Sequence, residues 1–277
     1  MSVKPIETIT VVGAGTMGGG IAAMCLAAGY RVRLYDPSRE ALERARKRIA
    51  KRDEQAEAEG RLDLHYQLEG AAESCDLLIE AVPERLELKR EVFQRADVAA
   101  PAHAIFASNT SELSITAMAG ATKRPDRVVG MHWFNPPERM KLIEMVRGVH
   151  SSREAVEAVA VVAGRCGKTT VLVKDRQGFV TTRALAALLT ESMRMFEEGV
   201  ASKADIDTAV KLGLNHPMGP LELADYVGLD TMLFIGESLT EALGERFRPP
   251  QILRKLVEAG RLGCKSGAGF YDYGEAR

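Results

Sequence analysis

Short apolar runs alternate with amphipathic stretches through the first two thirds of the chain, a pattern that predicts strands alternating with helices. Ile9-Thr10-Val11-Val12 reads as a strand, residues 21–28 as a helix stopping at Gly29, and residues 31–35 as a second strand ending at Asp36. Further strands are expected at 76–81, 104–107, 128–131, 142–146 and 170–173, with a helix over 86–97. Units of this kind build a mostly parallel sheet whose ligands bind at the carboxyl ends of the strands. Near residues 175–185 the pattern changes. A long helix is predicted over 179–198, ending at Gly199. Ser202 caps another through Lys211, and glycines punctuate further helical stretches until a strand-like signal at Gly269-Phe270-Tyr271. The expected fold is α/β: a Rossmann-type domain over 1–183 followed by an all-α domain over 184–277. The second is expected to close one side of a cleft and to offer an oligomer surface.

Composition narrows the function classes. The chain has 277 residues, 46% hydrophobic and 27% charged, with a net charge of −1, so no global field draws it to nucleic acid or an anionic membrane. No apolar run approaches a membrane span and the start shows no signal-peptide pattern. The four cysteines lie far apart with no metal spacing, and read as reduced thiols in a cytoplasmic protein without a metal.

The first strand runs directly into Gly13-Ala14-Gly15-Thr16-Met17-Gly18, then a helix, then a strand ending at Asp36. This is a complete dinucleotide fingerprint. Gly13 permits the tight turn, Gly15 lets backbone approach a pyrophosphate, and Gly18 lets helix pack on strand. Asp36 is placed for the ribose hydroxyls and would repel a 2′-phosphate, favouring NAD over NADP; Arg33 and Arg39 flank it and temper the preference. Gly167-Lys168-Thr169 is not a phosphate loop, because Val162 stands where its first glycine belongs.

Other strand ends carry polar groups toward the same crevice: Glu84 and Lys89, Ser108-Asn109-Thr110-Ser111, and His132 with Asn135. Ser111, followed by Glu112 and an apolar stretch, is equally a helix start. Glu144 sits inside the apolar run Leu142-Ile143-Glu144-Met145-Val146, where an ionised carboxylate is costly without a partner. A histidine donating one ring N–H to it would keep its other nitrogen free to accept a proton, making a general base. The residues alone leave open that the two never meet. His216, ahead of Pro217, reads first as a turn residue.

Taken in order, Gly13–Gly18, Glu80-Ala81-Val82-Pro83-Glu84 with Lys89, Ser108–Ser111, His132-Trp133-Phe134-Asn135-Pro136 with Glu144, Gly178-Phe179-Val180, Gly219-Pro220-Leu221 with Asp225, and residues 263–271 resemble the L-3-hydroxyacyl-CoA dehydrogenases, most closely the short bacterial 3-hydroxybutyryl-CoA dehydrogenases. The resemblance implies an NAD-binding domain, a helical dimerisation domain and a cleft between them. By the same likeness His132 is the base, Glu144 its partner and Ser111 a hydrogen-bond donor to the substrate's 3-oxygen. Asn135 would lie beside nicotinamide and substrate, and Glu84, Lys89 and Lys265 match cofactor-contacting positions. Two features depart from the pattern. Thr182 stands where the family usually has asparagine near the substrate, and the helical hairpin after Asp36, which holds CoA in the family, is short. What remains of it carries six basic residues in the nine from Arg44 to Arg52. These form either a solvated face paired with Glu40, Glu43 and Glu54 or a grip on CoA phosphates, with Lys51 and Arg52 as contacts. The leading expectation is an NAD-dependent dehydrogenase of a short L-3-hydroxyacyl-CoA, acting as a homodimer. Alternatives are a dehydrogenase of a non-CoA 3-hydroxy acid and an inactive NAD-binding structural or regulatory protein.

Overall fold

The computed structural model describes residues 4–274 and divides into two compact units, Met1–Phe179 and Val180–Arg277. The break falls four residues before the expected boundary. It coincides with a backbone reversal in which Gly178 (φ +72°) and Phe179 (φ +46°) are both left-handed.

In chain order the first unit contains β1 (Thr8–Val12), α1 (Thr16–Ala27), β2 (Arg31–Tyr35), α2 (Arg39–Ala50), β3 (Leu62–His65), α3 (Leu68–Ala72) and β4 (Leu77–Glu80). It continues with α4 (Leu86–Ala99), β5 (Ile105–Ser108), α5 (Ile115–Ala119), β6 (Val128–Trp133), β7 (Leu142–Arg147), α6 (Arg153–Arg165) and β8 (Thr169–Lys174). The strands form one sheet in the order β3-β2-β1-β4-β5-β6-β7-β8. All neighbours are parallel except β6 and β7, which pair antiparallel. Strand order reverses between β1 and β4, the place where such sheets open a crevice at their carboxyl ends. Both faces are covered. Ile9, Val11, Leu34 and Ile79 pack with α1, α2 and α6 in one buried cluster, while Val12, Leu78, Phe106 and Val128 pack with α3, α4 and α5 in another. Alternate residues of each strand thus serve opposite layers.

The second unit is helical: α7 (Thr181–Glu197), α8 (Lys203–Gly213), α9 (Pro220–Val227), α10 (Leu229–Leu243) and α11 (Gln251–Glu258). Its own buried cluster is built on Leu189, Met193, Leu221, Leu229, Leu239 and Leu253. The helix expected from residue 179 begins at Thr181, since a left-handed Phe179 cannot belong to it. The strand signal at 269–271 yields only isolated bridges at Ala268. Its backbone donors go elsewhere: the N–H groups of Phe270 and Tyr271 both donate to the Asp225 carboxylate, at 2.9 Å each. Among the described residues no helix is long and apolar enough to cross a membrane.

Candidate active site

The dinucleotide fingerprint forms the β1–α1 junction. Gly13 adopts φ +103°, and a Cβ there would lie 2.7 Å from the Ala81 carbonyl oxygen; at Gly18 a Cβ would lie 1.7 Å from the Gly13 carbonyl oxygen. Both glycines are therefore imposed by the protein's own packing. Gly15 differs, because a Cβ there would meet nothing within 4 Å, which leaves room for a group from outside the chain. Gly15 is the N-cap of α1, makes no side-chain cap bond, and is followed by no acid in the first turn. The helix thus presents orphan N–H groups and its positive dipole end with nothing of its own to neutralise them. Exposed Thr16 and half-buried Met17 flank that end. Asp36, at the tip of β2, accepts the Ala14 and Ser38 N–H groups at 2.8 Å each, which fixes its carboxylate beside the glycine turn. Gly13, Gly15, Thr16, Met17 and Asp36 line a crevice of about 680 Å³. The donors and the placed acid fit a dinucleotide. The neighbouring arginines are engaged elsewhere: Arg33 donates to the Gly70 carbonyl at 3.1 Å, and Arg39 lies over the Tyr66 ring at 5.0 Å.

At the next strand ends the polar groups mostly bond one another. Glu80, wholly buried at the tip of β4, accepts from Lys89 Nζ at 2.7 Å, Ser108 Oγ at 2.6 Å and the Val82 N–H at 2.6 Å. Burial raises its pKa, opposed by Lys89 and those donors. Lys89 is buried and donates to Glu80, the Val82 carbonyl (3.1 Å) and Glu84 (3.1 Å). Glu84 in turn accepts the Thr110 hydroxyl and, at 2.9 Å, the Ser111 N–H. Thr110 Oγ1 also accepts the Leu113 N–H at 2.8 Å, a donor that a cap at Ser111 would use, and this displaces the helix start. α5 starts at Ile115, capped by Ser114 and by Asp175, so Ser111 is not its cap and stays half-buried at the end of β5.

The antiparallel β6–β7 pair sets His132 directly opposite Glu144. Facing residues on adjacent strands have Cβ atoms within about 5 Å of each other, and here His132 Nδ1 lies 2.8 Å from Glu144 Oε2. Glu144 is wholly buried and His132 nearly so, and a carboxylate in that setting requires the Nδ1 proton. Nε2 is then the basic nitrogen. Phe134 and Phe179 enclose the ring, with centroids 4.4 and 5.9 Å away. Asn135 follows three residues later, exposed, on a cis bond to Pro136. Asn109, which carried no assigned role, accepts the Trp133 N–H at 2.9 Å and ties β5 to the exit of β6.

The basic stretch from Arg44 to Arg52 is partly paired, in part with Glu43 as expected and in part with other acids. Arg46 binds Glu57 at 2.6 Å and Glu43 at 3.5 Å, Arg52 faces Glu138 at 3.7 Å, and Glu40 accepts the Ser38 hydroxyl. Arg48 donates to the Gly15 carbonyl at 3.0 Å, a contact no sequence signal marked. Lys51 is exposed. In the second unit Thr182 is buried in the first turn of α7, Lys265 is paired with Asp230 at 2.6 Å, and His216 Nδ1 donates to the Met218 carbonyl at 2.7 Å as a turn residue.

Two family models match the chain: 3-hydroxyacyl-CoA dehydrogenase, NAD binding domain, over residues 8–176, and 3-hydroxyacyl-CoA dehydrogenase, C-terminal domain, over residues 178–273. A probable 3-hydroxybutyryl-CoA dehydrogenase of Bacillus subtilis is 46% identical, with 98% of each chain covered. The human mitochondrial hydroxyacyl-coenzyme A dehydrogenase is 40% identical over 97% of this chain and 91% of its own. The crystal structure of (S)-3-hydroxybutyryl-CoA dehydrogenase from Ralstonia eutropha is 38% identical and superposes with a TM-score of 0.91, covering 98% of this chain and all of that one.

Proposed function

Because the chain belongs to the 3-hydroxyacyl-CoA dehydrogenase family, we propose that it oxidises a short L-3-hydroxyacyl-CoA, about the size of 3-hydroxybutyryl-CoA, to the 3-oxoacyl-CoA, reversibly. NAD, held at the fingerprint, supplies the hydride acceptor. His132 Nε2 takes the proton of the 3-hydroxyl as C3 gives up its hydride, and Glu144 holds the ring in the tautomer that makes this possible and stabilises the imidazolium formed. Ser111 donates to the 3-oxygen, and Asn135 orients the reacting carbon. The Gly15 turn and the α1 N-terminus hold the cofactor's phosphates, with Thr16 and Met17 beside them, and Asp36 takes the ribose hydroxyls. Glu84 acts beside the cofactor, oriented by Lys89, while Lys51 and Arg52 take the CoA phosphates; Thr182 and Lys265 complete the substrate and cofactor contacts. The observation that carries the reading is the 2.8 Å contact between His132 and a wholly buried Glu144.

The protein acts as a homodimer through its helical unit, a reading supported by Leu212, Leu214, Tyr226 and Phe234, which stand exposed there. A cytoplasmic setting is supported by the four free thiols.

The test is reduction of acetoacetyl-CoA with NADH and with NADPH, over longer acyl chains and with free acetoacetate. His132→Gln is expected to cut turnover by about 10² or more with NAD affinity nearly intact. Equal rates on free acetoacetate would remove CoA from the assignment, and wild-type turnover in the variant would remove His132.

A further inference from the structure

Gly167-Lys168-Thr169 is no phosphate loop, yet Lys168 is closely held. Its ammonium donates to the carbonyls of Pro137 at 2.5 Å and Met140 at 2.7 Å. It also lies 5.6 Å from the ring centroid of Trp133, close enough for a cation–π contact. Burial lowers its pKa from the ordinary lysine value, opposed by Cys166 and Glu138, as expected of a cation drawn out of water.

Both carbonyls belong to the segment that leaves β6 just after His132 and carries Asn135. Within it the N–H groups of Arg139 and Met140 both donate to the Pro136 carbonyl, at 3.0 and 3.1 Å, forming a tight turn. The turn touches the phosphate-binding helix as well: a Cβ on Gly20 of α1 would meet Pro137 Cγ at 3.0 Å. The other ionic tether, Arg52 to Glu138 at 3.7 Å, is long and half-exposed at the arginine, a geometry that contributes little. Two charge-assisted bonds from one half-buried ammonium dominate.

We propose that Lys168 is a positioning residue: it fixes the turn at 136–140 and through it sets where Asn135 presents its amide to the reacting carbon and the nicotinamide. The assignment to Asn135 rests on the proposed function; the hold on the turn does not. Carbonyls that receive an ammonium in the native state are left without a donor when it is removed, so the turn moves outward to water. The catalytic geometry then loosens while the β1–α1 fingerprint stays intact.

Trp133 is the chain's single tryptophan, is almost fully buried, and lies three residues before the turn with Lys168 over its ring, so acrylamide quenching of its fluorescence reports on the packing at the base of the turn, with no turnover required. In Lys168→Met the quenching constant is expected to rise about twofold or more as the turn opens. Turnover of acetoacetyl-CoA should fall about tenfold or more, while the NAD dissociation constant stays within about threefold. Lys168→Arg, which keeps charged donors, should restore protection of Trp133 and most of the turnover. A lysine that merely stabilised the fold would lower the melting temperature and move none of these. Unchanged quenching in Lys168→Met overturns the proposal, and so does raised quenching with unchanged turnover. Should Lys168→Met not fold, Lys168→Gln, with a shorter neutral amide, is held to the same criteria. If the wild-type protein fails to turn over acetoacetyl-CoA, the proposed function falls, and quenching still decides whether Lys168 holds the turn.

Discussion

A carboxylate as deeply buried as Glu144 is tolerable only with a donor facing it, and the donor is the ring N–H of His132. Polarity matters as much as contact. An acid can only accept from Nδ1, so Nε2 stays basic; an amide can turn its NH₂ toward Nδ1 and reverse the tautomer. Glu144→Gln is therefore expected to fold and bind NAD while losing about 10³ or more in turnover, the scale seen when a base loses its orienting acid. Steady-state rates beside an NADH titration check this, and a variant within tenfold of wild type would show that the orientation of the imidazole is set elsewhere. Glu144 was legible in the sequence because an acid inside an apolar run demands a partner, and a histidine at a strand tip was available. Lys168 and Arg48 were not, because their partners are backbone carbonyls, which every residue carries. Lys89 was legible as important, but only the fold shows that Glu80, Glu84 and the Val82 carbonyl all share its ammonium.

Elements were readable where one local pattern decided them. The expected strands stand out as apolar runs and match to within a residue at each end, except β6, which runs two residues further to Trp133; the short β3, with a single buried residue, was not marked. Elements were misread where a side chain intercepts the backbone. Asp225 takes the N–H groups that would have made a strand at 269–271, and Thr110 and Asp175 move the start of α5 from Ser111 to Ser114. A third interception guides the entry of β1. Asp76, just before β4, accepts the Glu7 and Thr8 N–H groups at 3.0 Å each, Lys4 Nζ at 2.8 Å and His103 Nε2 at 2.9 Å. Burial alone would raise its pKa, but Lys4, the two N–H groups and His103 bring it from 3.8 down to about 2. A depressed acid stabilises the fold in its charged form. The contribution is complete above the unfolded value and disappears as pH falls from 3.8 through about 2. Asp76→Asn should thus melt roughly 3–6 °C below wild type at neutral pH, with the gap closing between about pH 4 and pH 2. Thermal melts across that range test it; a gap independent of pH would assign the loss to hydrogen-bond geometry rather than charge.

At the scale of the whole molecule, chemistry and stability are distributed unevenly over the two units. The fingerprint, Asp36, Ser111, His132, Glu144 and Asn135 all lie in the first unit, whose buried clusters draw their members from Ile6 to Phe179; the helical unit has its own cluster from Ala186 to Phe270. A ligand binding only the folded state stabilises what it binds by mass action, by about 2.7 kcal/mol at a concentration 100 times its dissociation constant. For a unit the size of the first, that converts to a rise of roughly 5–10 °C in its melting temperature. Trp133 lies in that unit and is the only tryptophan of the chain, so its fluorescence follows the unfolding of the NAD-binding unit. NAD at that excess should therefore move the Trp133 transition by this amount, and Asp36→Ala should shrink the shift at the same concentration, because the ribose loses its acceptor. NADP should move the wild-type transition less than NAD does, since Asp36 opposes a 2′-phosphate and both nearby arginines are engaged elsewhere. Equal shifts with the two cofactors would mean that Asp36 does not read the ribose, and a transition indifferent to NAD would place the cofactor away from the β1–α1 turn.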